Sequence, residues 1–181
     1  MYFSKPGPAN TEQTARLALK TALSRNIKHI VVASNTGDSV LPLIKGADGI
    51  KIICVTHADG FAENGKNEMS AQTRARLEAD GVTVLTATHV LSGVERGISR
   101  KVGGMYPAEI MAYTLRMFGA GVKVCVETAI MALDAGAVPF GDKIIAIGGT
   151  GRGADTAVIL SPAHANAVFD TYIHEIICKP E

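Results

Sequence analysis

The sequence predicts an α/β fold built on a mostly parallel sheet, and three observations predict it. Short β-branched runs alternate with helical stretches over residues 26–86. The connections between those runs are long enough and helical enough for right-handed crossovers, the usual way of joining parallel neighbours. Two buried-looking runs, at residues 29–33 and 144–147, lead straight into glycine-bearing turns. That is a frequent arrangement where strands of such a sheet end.

Taken in order, Asn10-Thr11-Glu12-Gln13 has the form of a capping box. Ala15, Leu17, Ala18, Leu19, Ala22 and Leu23 then give a helical apolar face, so a first helix runs to about residue 25. β-Branched runs at residues 28–34 and 49–56 are the first two strands, separated by a helix of about two turns near residues 39–45. Residues 70–80 form a second crossover helix closed by Gly81, and residues 82–86 a third strand. Residues 87–106 contain Gly93, Gly97, Gly103 and Gly104 and are expected to be a long irregular loop, a feature that in compact domains is commonly functional or mobile. Pro107 suits the first position of a helix to residue 118, and another helix spans about residues 122–135 before Gly136. Residues 143–147 and 156–161 are the fourth and fifth strands. The eight residues between them are too few for a parallel crossover, so the fifth strand runs antiparallel to the fourth or leaves the sheet. A short helix over residues 162–169 and a last strand near residues 172–179 complete the chain.

With 181 residues and 47% hydrophobic content, the chain fits a single domain over residues 1–181 better than two. The formal net charge is +1 and charges of both signs are scattered, which argues against a nucleic-acid partner and suits a small anionic ligand. Cys54, Cys125 and Cys178 lie singly in apolar stretches and read as reduced core thiols of a cytoplasmic protein. The first residues lack the apolar segment of a signal peptide and no run is long enough to cross a bilayer, so no membrane partner is expected. His29, His89, His164 and His174 show no metal-ligand spacing, and no metal site is expected.

The two turns carry the functional expectation, because backbone N–H groups and small side chains at a strand end let a phosphate approach closely. In the first, Ser34, Asn35, Thr36, Gly37 and Ser39 are candidate phosphate ligands. Equally, Ser34, Asn35 and Ser39 are residue types that cap and turn a chain without any ligand. The second holds Gly148, Gly149, Thr150, Gly151, Arg152, Gly153, Ala154 and Asp155, where glycines permit close approach and Arg152 offers a fork for an anion. Its bland reading is a flexible hairpin with a solvated arginine. A Gly-x-Gly-x-x-Gly fingerprint is missing, which favours a mononucleotide over a dinucleotide. Thr56 and His57 lie at the end of the second strand beside the expected crevice, where an imidazole can hydrogen-bond a ligand or move a proton. Lys123, Glu127 and Asp134 form a polar stripe on an otherwise apolar helix, either facing solvent or turning Glu127 toward the pocket. Arg96, Arg100 and Lys101 in the long loop are candidates to close over an anion.

Residues 26–89 resemble the C-terminal α/β domain of pyruvate kinase: a strand, the Ser-Asn-Thr-Gly-Asp-Ser turn, a helix, a strand ending Val55-Thr56-His57, a helix and a strand. The fourth strand, the turn after it and Thr156-Ala157-Val158-Ile159-Leu160 resemble that domain's closing hairpin. Leu115-Arg116-Met117-Phe118-Gly119, Lys123-Val124-Cys125-Val126-Glu127 and Met131-Ala132-Leu133-Asp134-Ala135-Gly136 resemble the stand-alone, largely archaeal proteins of the same domain type. The resemblance implies a three-layer α/β/α sandwich with strand order 3-2-1-4-5 and an antiparallel fifth strand. That order places the switch point between strands one and four, the two strands with glycine turns.

In pyruvate kinase the first turn belongs to a regulatory sugar-phosphate site, and the stand-alone proteins resemble binders of flavin mononucleotide (FMN). The resemblance therefore implies an FMN site in which Ser34, Asn35, Thr36, Gly37 and Ser39 cradle the phosphate and residues 148–155 close over it. Asp155 would accept from a ribityl hydroxyl or ring N–H, or else cap its own turn. The sequence holds no catalytic barrel, so pyruvate kinase activity is not expected, and whether the chain is an enzyme stays open. A non-enzymatic sensor of a sugar phosphate is the alternative; a small transferase or hydrolase acting through His57, Glu127 or Arg152 ranks last. A homo-oligomer is a further expectation, if the strand near residues 172–179 pairs across a two-fold axis instead of completing its own sheet.

Overall fold

The computed structural model describes residues 1–181. In chain order the elements are β1 (Tyr2–Phe3), α1 (Thr11–Ser24), β2 (His29–Ala33), α2 (Leu41–Ile44), β3 (Lys51–Thr56), α3 (Ala71–Ala79) and β4 (Thr83–Thr86). They continue with α4 (Gly93–Val102), α5 (Pro107–Arg116), α6 (Ala120–Asp134), β5 (Ile144–Gly148), β6 (Thr156–Ser161) and β7 (Tyr172–Pro180). Short 3-10 turns occupy Pro8–Asn10 and Ala165–Asp170.

One seven-stranded sheet carries them in the order β1-β7-β6-β5-β2-β3-β4. Strands β4, β3, β2 and β5 are parallel, and β6 runs antiparallel to β5. This is the expected 3-2-1-4-5 order with its reversed fifth strand. The C-terminal strand β7 joins this sheet antiparallel to β6, and its last two residues, Lys179 and Pro180, pair in parallel with the two-residue β1. A two-residue strand has no periodicity to read, and β1 escapes sequence analysis for that reason.

The sheet is covered on both faces. Along β2, Ile30 and Val32 point into a core with Ala15, Ala18 and Ala22 of α1 and Leu77 of α3, while Val31 points into a second core with Cys125, Ala129 and Ile130 of α6. A strand buried on both sides must be apolar at every position, which is why β2 reads as an unbroken hydrophobic run. Helix α6 lies hard on the sheet: a Cβ on Gly121 would stand 2.1 Å from Thr156 Oγ1. That contact holds the N-terminal end of α6 over the ends of β5 and β6. Cys54, Cys125 and Cys178 are buried free thiols, and burial pushes the Cys54 thiol up to about 12. No helix is long and apolar enough to cross a membrane.

Three local expectations are corrected. The capping box does not form, because Asn10 takes a helical conformation within the preceding 3-10 turn and its amide donates to the Lys5 carbonyl (2.8 Å). The helix after β2 is a single turn, Leu41–Ile44, shortened by the turn that precedes it. Within the stretch expected to be irregular, Gly93–Val102 is a helix, with Gly93 and Gly103 at its two ends.

Candidate functional site

A cleft of about 960 Å³ opens at the C-terminal ends of β2, β3 and β5, the switch point of the sheet. Its floor is the turn after β2. The Ser34 N–H donates to the Val55 carbonyl (3.0 Å), tying the turn to β3. The Ser34 hydroxyl accepts from the N–H groups of Gly37 (3.1 Å) and Ser39 (3.3 Å), so this side chain shapes the turn. Thr36 Oγ1 donates to Asp38 Oδ2 (2.7 Å). Gly37, at φ +89°, faces away from the cleft, where a Cβ would meet Thr73 of α3 at 2.9 Å. Asn35, Thr36 and Asp38 line the cleft, and their backbone N–H groups have no acceptor within the chain.

The turn after β5 divides its residues between frame and lining. Gly149, Gly151, Arg152 and Gly153 line the cleft, and their N–H groups also lack an acceptor in the chain. Gly148, Thr150, Ala154 and Asp155 hold them in place. Asp155 is fully buried and accepts from Gly7 N (3.0 Å), Thr150 N (3.2 Å) and Thr156 Oγ1 (2.8 Å). Of its two expected roles it performs the capping one, and it reaches 148 residues back along the chain to do so. The Ala154 N–H donates to Thr11 Oγ1 (3.0 Å), so the start of α1 joins this turn, and Pro8, Thr11 and Glu12 become part of the wall. Sequence spacing gives no sign of such a long-range contact.

The middle of the cleft is set by α6. Lys123 and Glu127, one turn apart, form an ion pair with side chains only 8% and 6% exposed. Glu127 Oε1 also accepts the Leu91 N–H (3.0 Å). Burial lowers the Lys123 pKa, against the opposing pull of Glu127, and Arg116 and Arg96 lower it further. Arg96 of α4 and Arg116 of α5 line the same wall, and neither is ion-paired with a carboxylate. Arg116 rests over the Tyr113 ring (5.3 Å). Arg100 and Lys101 do not line the cleft, so Arg96 is the cation of that segment that reaches it. Asp134 lies elsewhere, bonded to His164 Nδ1 (2.7 Å).

At the far end stand rings. His57 Nδ1 lies 2.5 Å from Glu68 Oε2, and the His57 ring centroid is 3.8 Å from that of Phe61. His89 is 5.2 Å from both rings. Burial lowers the His89 pKa; Glu127 opposes that, while His57, Lys123 and Arg96 reinforce it. Thr56 lines the cleft but spends its hydroxyl on the His57 carbonyl (2.8 Å) and on Thr86 Oγ1 (2.7 Å). Phe61, His89 and Arg116 are lining residues that sequence reasoning missed, since an isolated ring or arginine carries no spacing signal.

The chain matches the family model for the pyruvate kinase alpha/beta domain over residues 12–160. Among solved structures it is similar to a pyruvate kinase from Cryptosporidium parvum, at 18% identity over 77% of this chain and 20% of that one, with a TM-score of 0.41. It is also similar to the pyruvate kinase of that organism in complex with ADP, at 18% identity over 82% of this chain and 22% of that one, with a TM-score of 0.43. The chain thus spans about one fifth of the length of these pyruvate kinases. The family match extends over most of the chain, from the start of α1 to the end of β6, and the protein therefore belongs to the pyruvate kinase alpha/beta domain family.

Proposed function

We propose that this protein binds a phosphorylated small molecule in the cleft at the ends of β2 and β5, with FMN the ligand whose parts match the cleft best. The observation that carries the reading is the set of backbone N–H groups at Asn35, Thr36, Asp38, Gly149, Gly151, Arg152 and Gly153. All belong to cleft-lining residues and none has an acceptor in the chain. Unpaired N–H groups gathered from two turns are the donor set a phosphate uses. The unpaired guanidiniums of Arg96 and Arg116 add positive potential to the same wall.

FMN adds a flat ring to the phosphate, and the Phe61, His57 and His89 cluster supplies a surface for it. His57 and Glu127 are suitably placed to hydrogen-bond such a ring or to pass a proton. A second reading, a sensor of a sugar phosphate, is favoured by the polar lining, since only 6 of the 29 lining residues are hydrophobic. A cytoplasmic location is part of the reading, supported by three free buried thiols. The near-neutral charge supports a small ligand over nucleic acid.

The test is the visible absorption spectrum of freshly purified protein before and after acid precipitation, with mass spectrometry of the supernatant. A released yellow chromophore with the mass of FMN is the expected result. A colourless protein that also fails to take up added flavin rejects the flavin reading and leaves the sugar-phosphate sensor.

A further inference from the structure

Helix α4 is built inside out. It is amphipathic, yet none of its residues is buried. Its polar side faces the protein: Arg96 lines the cleft, Glu95 Oε2 accepts the Ala108 N–H (2.7 Å), and Ser99 Oγ donates to Glu109 Oε1 (3.0 Å). Its apolar side, Val94, Ile98 and Val102 at i, i+4 and i+8, is 77%, 40% and 70% exposed. Helix α5, clasped to it by those polar contacts, shows the same pattern. Ile110, Tyr113 and Met117 at i, i+3 and i+7 are 50%, 57% and 83% exposed. A one-faced apolar helix normally buries that face, because leaving it in water forgoes roughly 25 cal/mol for each Å².

We infer that a second copy of this chain covers the α4–α5 face, and that this contact holds in place the helix that carries Arg96 to the cleft. Two features select a second copy as the occupant. The first is area. The two stripes hold six of the chain's seventeen exposed large apolar residues. At roughly 150–220 Å² for a fully exposed residue of this kind, they offer about 700 Å², close to the ~800 Å² that each partner brings to a stable interface and above the roughly 300–600 Å² of the largest patch on an ordinary monomer.

The second is self-complementarity. At about 1.5 Å of rise per residue, the α4 stripe is ~12 Å long and the α5 stripe ~10 Å. Across a two-fold axis the α4 ridge of each copy meets an α5 ridge of matching length, giving a four-helix contact. The open edges of the sheet, β4 at one end and the part of β7 before Lys179 at the other, offer backbone pairing and not an apolar face of this size. The inference stands apart from the identity of the ligand.

Sedimentation of the full chain at about 50 µM, without added ligand, tests it. Wild type is expected to sediment as a dimer, and the substitutions Ile98→Glu and Met117→Glu, each at an exposed position, are expected to yield folded monomers with unchanged circular dichroism. Hydrogen exchange of the α4 amides should slow at least tenfold between dilute and concentrated wild-type samples. A wild-type monomer overturns the inference, as does a dimer that persists in both folded variants. A monomer that floats with anionic phospholipid vesicles also overturns it, and assigns the face to a membrane surface instead.

Discussion

Lys123 and Glu127 form a buried ion pair one helical turn apart on α6, on the wall of the cleft, and Glu127 anchors Leu91 of the facing segment as well. Burying two charges costs several kcal/mol each, and their attraction and hydrogen bonds return that cost only while both are present. The pair is thus strict in its partners. It fixes the segment leading into α4.

Removing either partner should therefore be costly. Glu127→Leu and Lys123→Met are each expected to lower stability by about 3 kcal/mol, because each leaves an uncompensated buried charge. The double variant Lys123→Met, Glu127→Leu should recover most of that loss. Urea denaturation of the four proteins checks this, and simple additivity of the two single losses would contradict a coupled buried pair.

His29 and His89 should both titrate below 6.5. Burial is the main cause in each, with Lys51 lowering His29 further. His29 Nδ1 is buried with no hydrogen-bond partner, which also favours the neutral ring. Because the folded values lie below the unfolded one, the unfolded state binds more protons in the interval between them, and stability rises with pH there. These histidines contribute stability that is fully present above 6.5 and lost as the pH falls through their folded values. Ring resonances followed by NMR from pH 8 to pH 4.5 measure this directly, and midpoints at or above 6.5 would contradict it.

The glycines of the second turn are unequal. Gly153 sits at φ +72°, and a Cβ there would come 2.3 Å from Pro8 Cα and 2.8 Å from Thr11 Oγ1. Gly151 has a similar φ of +82° with open space around its Cβ position. Gly151→Ala should cost about 1–2 kcal/mol from the left-handed backbone alone. Gly153→Ala should cost more and should also release the N-terminal segment, since the Thr11–Ala154 bond lies at the clash. Thermal melts, with proteolysis of the first ten residues as a second readout, separate the two. Equal losses would contradict this account of the contact.

The five central strands were legible as strands because β2, β3, β5 and β6 are buried on both faces, and full burial writes itself into sequence as unbroken apolar runs; their order came from the resemblance to the pyruvate kinase domain, since apolar runs carry no information on which strand neighbours which. The switch-point crevice followed from that order. Helix α4 was not legible, since its glycines signal a loop and its apolar stripe at residues 94, 98 and 102 belongs to the outside of the molecule. At the site, sequence located Asn35, Thr36, Arg152 and Glu127 on the cleft. It could not distinguish lining from frame. Ser34, which lines the cleft, and Asp155, which does not, both have the chemistry of ligand donors and acceptors, but their hydrogen bonds go to Gly37, Ser39, Gly7 and Thr150, contacts that only the folded chain brings together.

The central claim is that the free N–H groups of the two turns hold a phosphate, and comparison of FMN with riboflavin tests it most directly. The two differ only by the phosphate, so flavin fluorescence titrations of one protein sample isolate its contribution. The account predicts that FMN binds at least about a hundredfold more tightly, equivalent to roughly 2.7 kcal/mol, and that Arg152→Ala narrows the gap. Equal affinity for the two flavins would contradict it, as would failure of inorganic phosphate to compete with bound FMN.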